Sequence, residues 1–175
     1  MHDKYARTEF ERRFLLRNLP PEIDPAAGFT RITDRYLRGS DLRLRRMEAP
    51  DGQIVARKLA KKFKSPESGP YQTTITNLYL SDREYALLEN IQADPLVKKR
   101  YPFQVDGRTY SIDAFEGRLA GLLLVEIEAL DLAGLLALPA PPGSVAEVTA
   151  DPFFLGGNLA RTEAHELEKH LRQLD

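Results

Sequence analysis

The sequence predicts a mainly β (α+β) fold: a closed antiparallel β-barrel of about eight strands with a few flanking helices. The first indication is a series of segments in which apolar and polar residues alternate with a period of two, the pattern of half-buried strands. The second is that turn-forming residues separate most of these segments, while only two stretches have helical spacing. Antiparallel sheets of this size often close, because closure removes their unpaired edges.

The predicted strands follow one another along most of the chain. They cover residues 8–17, 29–38, 41–48, 53–64, 71–80, 96–105, 108–115 and 122–129. The run 49–52 (APDG) and the pair Asp106–Gly107 are typical of hairpin turns. Ser81 followed by Glu84 predicts a capping box that opens one helix, and a second helix is predicted from about Arg161 to Leu174.

The composition is typical of one soluble globular domain, which we expect to span residues 1–175, with 42% hydrophobic and 29% charged residues. The chain has no cysteine, which excludes disulfides and thiolate chemistry and suits a reducing, cytoplasmic compartment. The first residues are charged and lack the apolar core of a signal peptide. The longest apolar stretch contains Glu126, Glu128 and Asp131, so we expect no transmembrane helix and no membrane partner.

The net charge is −1, but the basic residues concentrate in one part of the chain. Between positions 35 and 64 they are Arg35, Arg38, Arg43, Arg45, Arg46, Arg57, Lys58, Lys61, Lys62 and Lys64. Such a run indicates either a local anion site or a solvated surface, and composition alone does not separate the two. A nucleic-acid partner is not expected, because the net charge is slightly negative and the basic residues alternate along strands.

Charged residues recur at alternate positions in five strands, which places them on one face of each strand. They are Glu9, Glu11 and Arg13; Arg43 and Arg45; Lys58 and Lys62; Lys98 and Arg100; and Glu126 and Glu128. In a single strand this pattern most simply marks the solvent face. The intervening residues, however, are largely apolar, as Leu123, Val125 and Ile127 are around the last pair. The apolar face can then be the packed one, and the pattern predicts a barrel with its charges inside.

An interior that carries both signs of charge requires a ligand that satisfies both, because crowded like charges repel. Guanidinium groups bind phosphate oxygens through two parallel hydrogen bonds. Carboxylates are the ligands that hard divalent ions such as Mg²⁺ and Mn²⁺ prefer. A chain of phosphates with a divalent metal ion fits both sets of side chains.

At these residues the sequence resembles the CYTH domain, the family of triphosphate tunnel metalloenzymes. The segment EFERRFLL resembles the family's ExExK motif, with Glu9 and Glu11 at the two glutamates and Arg13 in the lysine position. Five further segments resemble the family in the same order along the chain: DLRLR, KLAKK, KKRY, YSIDAFEGRLAGLLLVEIE and EVTADPFF.

The resemblance implies a metal-dependent phosphohydrolase that acts on inorganic tripolyphosphate or an organic triphosphate. It assigns phosphate binding to Arg13, Arg43, Arg45, Lys62, Lys98 and Arg100. It assigns one or two Mg²⁺ or Mn²⁺ ions to Glu9, Glu11, Glu126 and Glu128. The catalytic motif would be formed by Glu9, Glu11 and Arg13.

Two departures from the family pattern leave alternatives open. The family often has a glutamate pair on the fifth strand, where we expect Thr74 and Thr76 here. Arg13 keeps the charge of a lysine but replaces a compact ammonium with a wide guanidinium fork. A non-catalytic binder of polyphosphate or nucleotide is therefore one alternative. A class IV-type adenylate cyclase is another, although no base-recognition feature stands out in the sequence.

Several polar residues outside these motifs have more than one interpretation. Asp113 is expected either to orient a cation of the interior or to form a structural salt bridge with Arg118. His2, His165 and His170 are expected at the surface, because they do not have the arrangement of a metal site.

Overall fold

Alternating residues form nine β-strands in the computed structural model, which describes residues 6–63 and 69–174. The strands are β1 (Arg7–Leu16), β2 (Thr30–Leu37), β3 (Leu42–Glu48), β4 (Ile54–Phe63), β5 (Gln72–Tyr79), β6 (Ala93–Val105), β7 (Arg108–Phe115), β8 (Leu123–Ala129) and β9 (Ser144–Glu147). The helices are α1 (Asp82–Leu88), α2 (Leu132–Ala137), α3 (Gly156–Leu159) and α4 (Ala164–Leu171). Short 3₁₀ turns occur at Gly117–Leu119 and Pro152–Phe154.

Eight of these strands close into an antiparallel barrel. Hydrogen bonding runs in the order β5-β4-β3-β2-β6-β7-β8-β1, and a pairing between β5 and β1 completes the circle. Strand β1 lies at the closure: one edge pairs with β8, and the other pairs first with β5 and then with β9. The predicted fold class is confirmed, and β9 is an additional strand outside the eight-stranded circle.

Most predicted elements lie close to their observed positions, and the differences have local causes. Strand β6 begins at Ala93 rather than 96, because residues 93–95 continue the pairing with β2. Strand β9 and helix α2 were missed because they have only four and six residues, too few for a clear period. Helix α4 is shorter than predicted. Lys64, predicted to end the fourth strand, and His2 lie outside the described residues.

The predicted capping box at the start of α1 is confirmed. The Ser81 hydroxyl accepts a hydrogen bond from the Glu84 backbone N–H, and the Glu84 carboxylate accepts one from the Ser81 backbone N–H. These two bonds satisfy donors that the first helical turn leaves free. Helix α1 covers an outer apolar cluster formed by Leu37, Leu44 and Tyr85.

The barrel wall separates an outer apolar layer from an inner one. The outer layer includes Phe14, Tyr101, Ile112, Val125 and Ile127, and it is covered by α2 and by residues of the 19–29 loop. The inner layer is a cluster that fills one end of the barrel, which we call the plug. It includes Leu15, Leu96, Phe115 and Leu124 from the strands, and Phe154, Leu159 and Leu167 from the C-terminal segment.

The plug limits the charged lining to part of the inner face. Leu15 shares its strand face with Glu11 and Arg13, and Leu124 shares its face with Glu126. Each inward row therefore changes from apolar to charged along the strand.

Within the described part of the chain, no helix is long and apolar enough to cross a bilayer.

Candidate functional site

Strand register brings the predicted site residues together inside the barrel. Glu126 lies opposite Arg13 and Glu128 lies opposite Glu11 on the paired strands β8 and β1. With the alternation of the neighbouring strands, the same inner face receives Glu9, Glu11, Arg13, Arg43, Arg45, Lys58, Lys62, Lys98, Arg100, Glu126 and Glu128. The strand register therefore places these positions on one inner face, and their roles in phosphate and metal binding stay predictions.

Arg13 is buried at the centre of the interior. Its Nε donates to Glu126 Oε1 at 2.9 Å, and its Nη2 donates to Glu11 Oε1 at 3.2 Å. Its Nη1 donates to the backbone carbonyl of Phe154 at 3.0 Å. The Arg13 backbone N–H is bound to Thr149 Oγ1 at 2.9 Å, so the segment after β9 holds both ends of this residue.

Asp113 organises a second group of cations. This carboxylate is 1% exposed, and it accepts two hydrogen bonds of 2.6 Å from Arg100 and one from Lys98. Arg100 Nη2 also donates to Glu126 Oε2 at 2.6 Å. Burial would raise the pKa of Asp113, but the charges of Arg100 and Lys98 outweigh it and lower that pKa. Of its two predicted roles, the orientation of interior cations is the one observed.

The predicted salt bridge between Asp113 and Arg118 is not formed. The Arg118 guanidinium instead donates to the backbone carbonyls of Pro95, Ala160 and Thr162. The 3₁₀ turn at Gly117–Leu119 separates Arg118 from the strand that carries Asp113, so it contacts the C-terminal segment rather than the interior.

Asp34 has the same function on strand β2, and the sequence did not indicate it. The Asp34 carboxylate is 1% exposed and receives two hydrogen bonds from Arg45, at 2.6 and 2.7 Å. Arg43 Nε lies 3.6 Å from it. Burial would raise the pKa of Asp34, but the charges of Arg45 and Arg43 hold it well below its usual range.

Asp34 could be missed because it is a single acid between Thr33 and Arg35, outside any alternating charge pair. Its position opposite Arg45 follows only from the pairing of β2 with β3. The sequence feature that could have indicated Asp34 is its position two residues before Tyr36 on a predicted strand, because this spacing puts both side chains on the same face.

The four glutamates differ in the partners that they have. Glu126 is bound by Arg13 and Arg100, and these two charges hold its pKa well below the usual range although burial acts the other way. Glu11 contacts Arg13 and Lys62, and Glu9 contacts Arg7 and Lys62. Glu128 forms no ion pair within the described residues. Burial, followed by the charges of Glu9, Glu126 and Glu11, raises the pKa of the Glu128 carboxyl.

The fifth strand corrects one prediction. Thr73 lies opposite Glu9, and Ile75 lies opposite Lys62, so the inward residues of β5 are Thr73 and Ile75. Thr74 and Thr76 therefore face outward and are not the interior positions that a glutamate pair would occupy. The error arose because this strand has threonine on both faces, which leaves its register undetermined in the sequence.

The two described histidines differ from each other. His165 is exposed, as predicted. His170 is only half-exposed, and it stacks on Phe153 with 3.9 Å between ring centroids. Its Nε2 lies 2.7 Å from Asp151 Oδ2.

The carboxylate oxygens are of the type that divalent ions bind, but they are not arranged as a preformed coordination site among the described residues. Among residues 6–63 and 69–174, no three acidic or imidazole side chains are arranged to hold a metal ion. The reason is that Arg13, Lys62 and Arg100 already engage most of the acidic oxygens. Glu128 is the exception, since it has acidic neighbours and forms no ion pair with the described part of the chain, and a hard cation suits that environment.

The sequence and the fold have counterparts among known proteins. The chain is 38% identical over 76 residues to the inorganic triphosphatase of Acetivibrio thermocellus, a match that covers 43% of this chain and 47% of the relative. The chain therefore spans about half the length of this curated relative. No family model matches the chain.

Two solved structures agree with this match. The crystal structure of the hypothetical protein NE1496 has a TM-score of 0.57 and 26% identity, over 89% of this chain and 99% of that one. The crystal structure of the inorganic triphosphatase NE1496 has a TM-score of 0.57 and 25% identity, over 88% and 95%.

The closed antiparallel barrel with a charged interior has the triphosphate tunnel fold. The chain is similar to inorganic triphosphatases in part of its sequence and in its fold, which agrees with the resemblance to the CYTH domain that the six ordered motifs indicated.

Proposed function

We propose that this protein is a metal-dependent triphosphatase that hydrolyses a triphosphate bound inside the barrel. The observation that carries the proposal is the convergence of five cations, Arg43, Arg45, Lys62, Lys98 and Arg100, with four glutamates in one interior. The plug fills one end of that interior, so a ligand of limited length suits the remaining space. The names of the two matched triphosphatases support inorganic tripolyphosphate as the first substrate to test.

The cations are held ready for phosphate oxygens by buried acids. Asp34 fixes the guanidinium of Arg45, and Asp113 fixes Lys98 and Arg100. The buried Nε of Arg43 has no hydrogen-bond partner in the described chain, and a buried donor without a partner is costly. A phosphate oxygen would satisfy this donor, so Arg43 and Arg45 are proposed as the pair that binds one end of the polyphosphate.

The glutamates are proposed to hold Mg²⁺ or Mn²⁺ beside the phosphates. Glu9, Glu11 and Glu128 are the first candidates, and Glu126 becomes available as Arg13 and Arg100 turn toward phosphate oxygens. When bound, the metal would neutralise phosphate charge and polarise the phosphoryl group toward attack by water. Arg13 stays ionised at any working pH, so its role is to bind phosphate oxygens and to offset carboxylate repulsion, not to accept a proton.

The experiment is phosphate release from tripolyphosphate, ATP and thiamine triphosphate with Mg²⁺ or Mn²⁺. We expect release from tripolyphosphate that stops when the metal is chelated. Lys62→Ala should lower the affinity for tripolyphosphate about ten- to a hundredfold, because it removes a charge-assisted bond. Lys61→Ala is the matched control, since Lys61 lies on the outer face of the same strand and is exposed.

The outcomes also separate the alternatives. Tight, metal-dependent binding of tripolyphosphate without release would make the protein a binder, an alternative favoured by the absence of a preformed carboxylate cage in the described chain. Pyrophosphate and a cyclic nucleotide from ATP would indicate a cyclase. Equal losses in Lys62→Ala and Lys61→Ala would show that the ligand does not enter the barrel.

A further inference from the structure

The contact between Arg13 and Phe154 differs in kind from the other contacts of this guanidinium. Glu126 and Glu11 are charged residues of the barrel that substrate or metal would compete for, whereas the Phe154 carbonyl is neutral and comes from the C-terminal segment. A carbonyl that accepts at 3.0 Å fixes one edge of the guanidinium plane. The orientation of Arg13 therefore depends on the turn that carries Phe154.

The turn at Pro152–Phe154 is held by one acid. Asp151 precedes it, and Asp151 Oδ1 accepts a hydrogen bond from the Phe153 backbone N–H at 2.9 Å. The second oxygen, Oδ2, lies 2.7 Å from His170 Nε2 on helix α4. Because a carboxylate only accepts hydrogen bonds, the proton of this bond belongs to Nε2.

The His170 ring also contacts the turn directly. It stacks on Phe153 with a centroid distance of 3.9 Å and an interplanar angle of 10°, and it meets Phe154 edge-on at 5.5 Å. The Phe154 side chain is buried in the plug. One helical residue thus contacts the cap of the turn and both of its aromatic rings.

We propose that Asp151 and His170 form a positioning pair for Arg13, because together they set the direction of the Phe154 carbonyl that holds its guanidinium. Within the described residues, neither side chain hydrogen-bonds a charged residue of the barrel interior, so they act through the turn. The kinetic part of this inference rests on the proposed triphosphatase function, whereas its geometric part does not.

The geometric part is tested by the side-chain NMR signals of Arg13 in the full chain. His170→Phe keeps an aromatic ring for stacking but removes the hydrogen bond to Asp151. We expect the Arg13 Nε–H and Nη–H signals to be sharp in the wild type and to broaden in His170→Phe. His165→Phe is the matched control, since His165 lies exposed on the same helix, and its spectrum should resemble the wild type.

The kinetic part is tested by the turnover of tripolyphosphate with Mg²⁺. A lost positioning bond should lower kcat/KM about tenfold, through both kcat and KM, because Arg13 is assigned to phosphate binding. His170→Gln keeps a donor for Asp151 and should recover part of kcat. In an Arg13→Lys background, His170→Phe should have little further effect on kcat, because the guanidinium bond to Phe154 is already absent.

Two results would overturn the proposal. One is an unchanged Arg13 spectrum in His170→Phe. The other is an equal loss of kcat in the wild-type and Arg13→Lys backgrounds with a parallel fall in Tm, which indicates a role in stability alone. If the protein releases no phosphate at all, the proposed function fails, and the NMR comparison still decides whether the pair orients Arg13.

Discussion

Glu128 differs from the three other interior glutamates because it has acidic neighbours and no cation partner within the described residues. Its carboxyl binds protons more strongly in the folded protein than in the unfolded chain, since its pKa is raised on folding. Stability therefore falls as the pH rises from the unfolded pKa through the folded one. At neutral pH the ionised side chain therefore destabilises the metal-free protein.

We expect Glu128→Gln to raise the Tm of the metal-free protein at pH 7 by about 1–2 °C, because repulsion at a partly exposed site is worth a few tenths of a kcal/mol. The gain should fade as the pH is lowered and the wild-type carboxyl becomes protonated. Mg²⁺ should stabilise the wild type more than the variant. Thermal melts over about pH 4–7 test this, with the exposed Glu22→Gln as control. A Tm gain in Glu128→Gln that does not change with pH would contradict the repulsion argument.

Arg13 occupies the lysine position of the ExExK motif. Substitution by alanine removes its charge, whereas substitution by lysine keeps the charge and changes only the shape of the cationic group. Arg13→Ala should lower tripolyphosphate affinity about ten- to a hundredfold through the loss of a charge-assisted bond. Arg13→Lys should retain much of the affinity, because the charge remains. Calorimetry with tripolyphosphate measures both.

The matched control for Arg13 is its neighbour on the other face of β1. Arg12 is bound to Glu147 and to the Leu138 carbonyl. Arg12→Ala should therefore affect stability more than affinity. An affinity that is unchanged in Arg13→Ala would place Arg13 outside the phosphate site.

At the scale of elements, the C-terminal segment decides how one end of the barrel is closed. Helix α3 begins against the inward side chain of Tyr36, where a Cβ on Gly156 would overlap the tyrosine hydroxyl. At Gly157 the nearest Tyr36 atom would be 3.5 Å away, an ordinary contact. The close approach of α3 to the barrel therefore requires glycine at the first position but not at the second.

Gly156→Ala should cost about 1–3 kcal/mol, because the added methyl group forces Tyr36 or the helix to move in a packed region. Gly157→Ala should change the free energy of unfolding by less than about 1 kcal/mol. We expect this small change to be stabilising, because alanine lowers the conformational entropy of the unfolded chain. Urea denaturation of the two variants gives the comparison. Equal destabilisation of both would show that the Tyr36 contact does not limit the approach of α3.

At the scale of the whole molecule, the interior contains three buried acids whose pKa values are lowered by neighbouring cations, Asp34, Asp113 and Glu126. A lowered folded pKa means that the unfolded chain binds protons first on acidification. The stability from these acids is thus complete above the unfolded pKa and is lost as the pH falls toward the folded values. Acid unfolding should begin below about pH 4.

Chemical denaturation at several pH values tests this expectation. Asp113→Asn should destabilise the protein by about 3–5 kcal/mol at pH 7, because it leaves buried cations without their acid. Its stability should also depend less on pH in the acid range than that of the wild type. The exposed Asp41→Asn is the control, and a pH dependence of Asp113→Asn that runs parallel to it would contradict the assignment.

The barrel and its charged inner face were determined by the sequence itself. Alternation is a local property, because successive side chains of a strand point to opposite faces. Glu9, Glu11 and Arg13 therefore share a face whatever the rest of the chain does, and so do Glu126 and Glu128. The capping box at Ser81 is equally local, since its hydrogen bonds join residues three positions apart.

Only the tertiary structure decided which charges meet and where the interior ends. Asp34 lies opposite Arg45 because β2 pairs with β3 in one particular register. Thr73 faces inward because of the registers in which β5 pairs with β1 and with β4. The plug and the turn at Phe154 bring residues near the end of the chain against β1, across more than a hundred positions of sequence. Such contacts depend on register and long-range packing, and a one-residue shift of a strand reverses which side chains face the interior.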